Sequence, residues 1–441
     1  MERAQTAGGG ARAPGGFVRW IIVFWVFVIA AVSYLDRNNI SIAISSIQKE
    51  FGLSNVQLGT VFSAFVFGYA FTQPFAGRLA DRFGPYKLIA FAILWWSLLT
   101  VSVTLVPAGF AYSFALLLAV RVLLGVGEAV IFPASNRLIA SWVPTHERGF
   151  ANGLIFAGVG VGGGLAPPII TYFILTATWR ASFWACAALG VVVGVVWLFL
   201  VRDQPRRHKW MSQDEAAYIE AGLPLQKTGG GLRRWRDMIL DGQVALLTAS
   251  YFCYGYVAYI FFTWFFKYLS DVRGLNLKSS ALYATLPFIA MAVASSLGGY
   301  VSDKLIPPYG QRIARCGLAG VAMLAASGFV WWATQVADAR LAAIVLAGGA
   351  GALYLAQSSF WALSADIGGA SAGAVSGVMN MGSQIGGMVT ASLTPLVAAQ
   401  FGWTPSFVFA AAICALGGVL WVFIDPTHEL AVNGRSARAT A

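Results

Sequence analysis

Four charged side chains of this 441-residue chain stand where charge is expensive. Asp36 and Arg37 sit in Ser33-Tyr34-Leu35-Asp36-Arg37-Asn38-Asn39, between an uncharged apolar run at 20–32 and a mostly apolar run at 40–47. Arg121 and Glu128 are separated by a stretch that includes Leu123, Leu124, Gly125, Val126 and Gly127. Seven residues are almost two helical turns, so these two lie nearly above one another, about 10 Å apart along the axis. Ionisable groups this deep in an apolar segment face a bundle interior or a watery cavity and mark ion or substrate pathways. Two guanidiniums and two carboxylates form a near-neutral set. An arriving carboxylate would favour an extra proton on a neighbouring acid, a physical route to moving an anion together with a proton. Arg37 is the expected anchor, because guanidinium grips carboxylate bidentately and stays charged when desolvated. Asp36 and Glu128 are the expected proton carriers, and Tyr34 and Arg121 the neighbouring substrate contacts. The alternative is an internal Asp–Arg pair that only holds helices together, although buried ion pairs stabilise weakly.

The elements that must position these groups follow from composition. The chain is 58% hydrophobic and 11% charged, with a mean hydropathy of +0.71, which places about half of it in a lipid bilayer. Apolar stretches fall near 18–45, 56–79, 87–107, 112–140, 150–175 and 181–201, then 241–269, 279–302, 313–335, 341–364, 373–399 and 404–424. These twelve predict an all-α membrane protein whose twelve transmembrane helices form two six-helix bundles, 1–202 and 237–441. Between them a loop at 203–236 opens with Arg206-Arg207-His208-Lys209 and carries a capping box, Ser212-Gln213-Asp214-Glu215. A glycine link at 229–231 follows, then Arg233-Arg234-Trp235-Arg236.

The net charge of +11 would suggest nucleic acid in a soluble protein; here its placement sets orientation instead. With the N-terminus inside, Lys and Arg outside reduce to Lys49, Arg180, Lys267, Arg273, Lys278 and Arg340, while Arg37 and Arg121 lie within spans. This positive-inside bias predicts a multi-pass protein of the cell (inner) membrane, with both termini and the central loop cytoplasmic and no nucleic-acid partner. Residues 1–16 read as a short tail before a retained helix, since no small-residue cleavage site follows the first apolar run. Cys186, Cys253, Cys316 and Cys414 have no paired spacing. His146, His208 and His428 lie in loops and none adjoins a cysteine pair. No enzyme, metal site or cofactor is expected from these, and the short tails leave no room for a signalling domain.

A repeat marks the two halves. Gly77-Arg78-Leu79-Ala80-Asp81-Arg82-Phe83-Gly84-Pro85-Tyr86-Lys87 ends the second span, and Gly299-Tyr300-Val301-Ser302-Asp303-Lys304 ends the eighth. Each places Gly, then Asp four residues on, then a cation, at the cytoplasmic face. Glycine lets helices approach closely, and an acid there can meet a helix N-terminus. Gly77, Asp81, Arg82, Gly84 and Asp303 therefore read as a conformational latch.

The first of these segments resembles the loop signature of the major facilitator superfamily. The finer resemblance is to its anion:cation symporter branch, carried by Tyr34-Leu35-Asp36-Arg37, Arg121 with Glu128, Phe132-Pro133-Ala134, Trp142 to Arg148-Gly149, Pro167-Pro168, Trp179-Arg180, Thr263-Trp264-Phe265 and Tyr268-Leu269. It implies a secondary transporter that takes up an organic anion with protons, or with sodium, by alternating access, expected as a monomer. Exchange of organic anions, or export of drugs or metabolites on the same fold, is the alternative. The resemblance also implies that Tyr69 donates its hydroxyl to the carboxylate, against a packing role for the ring. It places a substrate-contacting amide at Asn380, where a buried amide needs partners, with Gln357 and Ser359 as further candidates. Tyr251, Tyr254, Tyr256 and Tyr259 in the seventh helix read mostly as packing, and Gln384 accompanies Asn380 in the eleventh. In sugar-acid members a Gln is expected where this chain has Val159, and this together with the Tyr-rich seventh helix favours a carboxylate with fewer hydroxyls, such as an aromatic acid, over a sugar acid.

Overall fold

A computed structural model describes residues 16–53, 55–223, 235–265, 268–275, 277–428 and 430. The N-terminal tail up to residue 15, the glycine link at 229–231, Arg233, Arg234, Lys267 and the C-terminal tail from 431 lie outside these residues. The first half comprises α1 (Val18–Phe51), α2 (Asn55–Phe83), α3 (Pro85–Leu105), α4 (Ser113–Glu128), α5 (Ile131–Trp142), α6 (Arg148–Thr176) and α7 (Trp179–Leu200). Two short helices follow, α8 (Gln213–Gly222) and α9 (Trp235–Ile239). The second half comprises α10 (Gly242–Thr263), α11 (Leu277–Gln311), α12 (Leu318–Gln335), α13 (Ala339–Gly368), α14 (Ala372–Phe401) and α15 (Trp403–Leu420).

Among the described residues, nine helical stretches are long and apolar enough to cross a membrane. Two of these, Thr285–Gln335 and Ala339–Ala398, each hold a pair of helices. Adding α2, which carries Gln73, Arg78, Asp81 and Arg82, gives the twelve expected spans. In the fourth span the helical hydrogen-bond ladder breaks between α4 and α5, immediately after Glu128, although Ala129 and Val130 keep right-handed helical dihedrals. Pro133 explains the break: it has no N–H for the carbonyl of Ala129, and its ring would clash with that carbonyl.

Packing repeats between the halves. In the first, α1 packs on α6, α2 on α4, and α3 on α7. In the second, the corresponding pairs are α10 on α14, α11 on α13, and α12 on α15. The halves meet mainly through α2 against α14 and α6 against α11, partners that exchange under the same pseudo-symmetry. Glycines serve these close approaches. A Cβ at Gly158 or Gly162 would strike α1, and one at Gly160 would strike α11. The glycine-rich stretch around Val159 therefore lets one helix pack tightly against its own half and the other at once.

The central loop docks at the end where α1 begins. Ser212 Oγ accepts from Glu215 N, as the capping box requires. The Glu215 carboxylate is fully buried and accepts from Val18 N and Arg19 N, both at 3.2 Å, and from Arg19 Nη1 at 3.1 Å. It thus caps the first turn of α1, where a negative charge is favoured. At the other end of α1, Glu50 accepts from Trp179 Nε1 and Arg180 Nη1, both at 2.8 Å. The Arg180 guanidinium beside it holds the Glu50 carboxyl below the usual carboxylate range.

Candidate functional site

Arg37 projects from the middle of α1 toward the end of α4. Its Nε and Nη2 both donate to Glu128 Oε2, at 3.1 and 2.9 Å, and Ser33 Oγ, one turn earlier, donates to the same oxygen at 3.3 Å. Glu128 is fully buried, and its Oε1 has no hydrogen-bond partner among the described residues. Three rings surround the Arg37 guanidinium: Tyr69 at 4.4 Å, Tyr34 at 4.6 Å and Phe65 at 5.0 Å to their centroids. Ring faces attract a cation and exclude water from it. Phe65 also carries the Arg121 guanidinium, at 4.7 Å. Arg121 is 3% exposed, and its Nε has no hydrogen-bond partner among the described residues. Asp36 turns the other way, toward α3, where its Oδ2 accepts from Thr100 Oγ1 at 2.6 Å. Arg37, Arg121, Glu128, Tyr34 and Tyr69 thus meet in one cluster, with Asp36 just behind it.

Below Arg37, toward the start of α1, the cluster rests on an aromatic floor that joins the halves. Tyr34 packs edge-on to Phe132 of α5, Phe132 stacks on Phe156 of α6 at 5.2 Å, and Phe156 meets Trp361 of α13 at 5.0 Å. Trp361 Nε1 and Gln357 Nε2 both donate to the Tyr251 hydroxyl, at 2.9 and 2.7 Å. Of the second-half candidates, Gln357 is therefore part of this floor. Ser359 is fully buried on the same helix but about 200° around it from Gln357, so its side chain is not brought to the same face. Asn380 is 4% exposed on α14. One turn on, Gln384 Oε1 accepts from the Tyr259 hydroxyl, and Tyr259 lies within electrostatic reach of Arg37. Tyr259 thus ties α10 to α14 through Gln384, a contact its alternation with other tyrosines along α10 does not reveal. Val159 is buried, 3% exposed. Nothing in the sequence marks the Ser33 and Thr100 hydroxyls, because single hydroxyls in apolar helices usually bond their own backbone.

The residues expected to form a latch build two matching contacts below the floor. Asp81 accepts from Gly373 N at 3.0 Å and Ala374 N at 2.8 Å, at the start of α14 in the other half. Asp303 accepts from Gly149 N at 3.1 Å and Phe150 N at 2.6 Å, at the start of α6, and meets Arg315 Nη1 at 2.8 Å. Each half thus caps a helix of the other with a carboxylate. A Cβ at Gly77 would collide with the Gly373 carbonyl, and one at Gly299 with the Gly149 carbonyl, so the glycines permit the approach. Gly84 has φ of 88° and turns the chain into α3. Arg82 departs from expectation: it is exposed over the Phe83 ring, and Arg137 of α5 stands beside Asp81 instead, at 3.6 Å. Between the two contacts, Asn136 donates across the halves to Ser364, and Arg148 pairs with Asp366.

Asp81→Asn is expected to weaken two charge-assisted bonds. A cysteine placed at Asn136, 1% exposed, should then react with thiol reagent about tenfold faster, as for a loss of roughly 1.4 kcal/mol. An unchanged labelling rate would mean that Asp81 does not hold the halves together.

Comparison with known proteins agrees with this architecture. The chain is 33% identical over 398 residues to a probable sulfoacetate transporter, SauU, of Cupriavidus necator, covering 90% of this chain and 91% of that protein. It is 28% identical to the hexuronate transporter of Bacillus subtilis, covering 90% and 91% of the two chains. Among solved structures, the proton:xylose symporter XylE superposes with a TM-score of 0.75 at 16% identity, over 93% of this chain and 97% of that one. Residues 26–391 match the profile of the Major Facilitator Superfamily, and the chain belongs to that family of multi-pass membrane transporters.

Proposed function

We propose that this transporter takes up an organic carboxylate together with protons, by alternating access around the Arg37 cluster. One observation carries the reading: Glu128 occupies the fork of Arg37 that a substrate carboxylate would need. While Glu128 is ionised it competes with the substrate for that fork. A proton on Glu128 removes the competing charge and releases Arg37 to bind bidentately. Anion and proton then load as a pair, and loss of the proton on the far side lets Glu128 reclaim Arg37 and expel the anion. Arg121 adds a second cation, and Tyr69 and Tyr34 line the approach. The aromatic floor and the paired Asp81 and Asp303 contacts support reading this conformation as closed at one end. The bias of Lys and Arg makes that end cytoplasmic in the inner membrane, with the termini and central loop on the same side.

The relatives' names point to small acidic substrates. An aromatic surround for Arg37, with Val159 in the fifth span, favours a carboxylate with few hydroxyls over a sugar acid. Uptake into proteoliposomes, with a panel of labelled acids and with and without a pH gradient, tests both points. Orientation is scored by labelling G230C with an impermeant thiol reagent. Acid-driven accumulation of aromatic or short-chain acids is expected. Much better competition by glucarate- or galactonate-like acids would overturn the substrate class, and uptake indifferent to the pH gradient would leave sodium coupling or exchange. Labelling of G230C from outside intact cells would reverse the orientation.

A further inference from the structure

Asp36 is held apart from the arginines. It is 6% exposed on α1, and its only hydrogen bond among the described residues is the one from Thr100 Oγ1 of α3 to Oδ2, at 2.6 Å. Its Oδ1 is buried without a partner. Thr100 is itself 1% exposed and donates from the neighbouring helix, not from the turn that carries Asp36. The charged and titratable groups facing Asp36 are Arg37 on its own helix, Arg121 and Glu128 on α4, and the Cys186 thiol on α7. No guanidinium is hydrogen-bonded to it among the described residues, so this one hydroxyl is its direct support.

We infer that Thr100 is a positioning residue for proton coupling: it fixes Oδ2 of Asp36, leaves Oδ1 as the oxygen that takes and releases the proton, and favours the ionised carboxylate. The inference rests on the reading of Asp36 as a proton carrier. A hydroxyl suits the task better than an arginine. It donates to Oδ2 whether Asp36 is a carboxylate or a neutral acid protonated on Oδ1, so the side chain keeps its orientation through the cycle. The bond is stronger to the charged form, because a hydrogen bond to an ionised acceptor is roughly twice as strong as a neutral one. Thr100 therefore helps Asp36 release its proton on the side where release drives the cycle.

Thr100→Val keeps the branched shape and its helix preference but removes the donor. In proteoliposomes the external pH of half-maximal uptake should rise by about one unit, the size expected for losing one charge-assisted bond. Accumulation at neutral internal pH should fall several-fold, while counterflow stays within about twofold because exchange needs no net proton release. Thr100→Ser should restore the wild-type profile. In an Asp36→Asn background, where accumulation is already lost, Thr100→Val should leave counterflow unchanged, as expected if the hydroxyl acts through that carboxylate. If Thr100→Val folds poorly, Thr100→Ala with the same serine control carries the comparison. A wild-type pH profile in the hydroxyl-free variant, or a several-fold loss of counterflow in the Asp36→Asn background, overturns the assignment of Thr100. Full acid-driven accumulation by Asp36→Asn alone would instead overturn the role of Asp36, and the two failures are distinguishable.

Discussion

Glu128→Gln is expected to abolish accumulation driven by a pH gradient while leaving counterflow active. The geometry states why. Glu128 Oε2 receives both donors of the Arg37 fork and the Ser33 hydroxyl, and a glutamine carbonyl can still accept them. The helix end and the Arg37 side chain should therefore keep their places, and only the charge is lost. A neutral group imitates the protonated carrier permanently, so anion binding and exchange, which need no net proton change, continue. Net uptake stops because no proton is released inside to pull the cycle forward. A one-unit pH gradient, worth about 1.4 kcal/mol per proton, sustains about a tenfold substrate gradient for one coupled proton. The variant should equilibrate at about onefold by the same arithmetic. Asp36→Asn should behave similarly, although it also removes the acceptor for Thr100. Full accumulation in both variants would remove the two acids from the mechanism.

Arg37→Lys is expected to cost the transporter most of its substrate affinity. The guanidinium presents two donors to one oxygen of Glu128 while three rings lie within 5.0 Å of it. An ammonium is a point donor and cannot reproduce that fork or its flat stacking. Losing one charge-assisted bond and part of the ring contact corresponds to about 2–3 kcal/mol, or roughly 30- to 150-fold in affinity. Lysine is the informative change because it keeps a cation beside Glu128. Arg37→Ala would strand a buried carboxylate at a cost of about 3–5 kcal/mol, so its loss of binding would be read only beside a thermal-unfolding control. Substrate titration of purified protein gives the affinity directly. Unchanged affinity in both variants would make Arg37 a structural residue.

Much of this protein is legible without coordinates, and the reason is the membrane. Lipid forbids unsatisfied backbone, so apolar runs of about 20 residues become helices, and twelve of them could be counted. Depth also exposes Asp36, Arg37, Arg121 and Glu128, because charge in such runs is costly. The repeat at Gly77 with Asp81 and Gly299 with Asp303 likewise showed that the two halves carry matching ends. Partner choice was another matter. Asp36 and Arg37 are adjacent, about 100° apart around one helix, and that spacing cannot say that one reaches Thr100 and the other Glu128. Both partners lie on other helices, 64 and 91 residues away. Arg82 follows Asp81 in the chain, yet Arg137 stands beside it in space. The peptide N–H groups that Asp81 holds lie 292 and 293 residues downstream. Helical periodicity determines which face a residue occupies. Only the packing of one helix against another decides what that face meets, and here that choice gives one of two neighbouring charges to Glu128 and the other to Thr100.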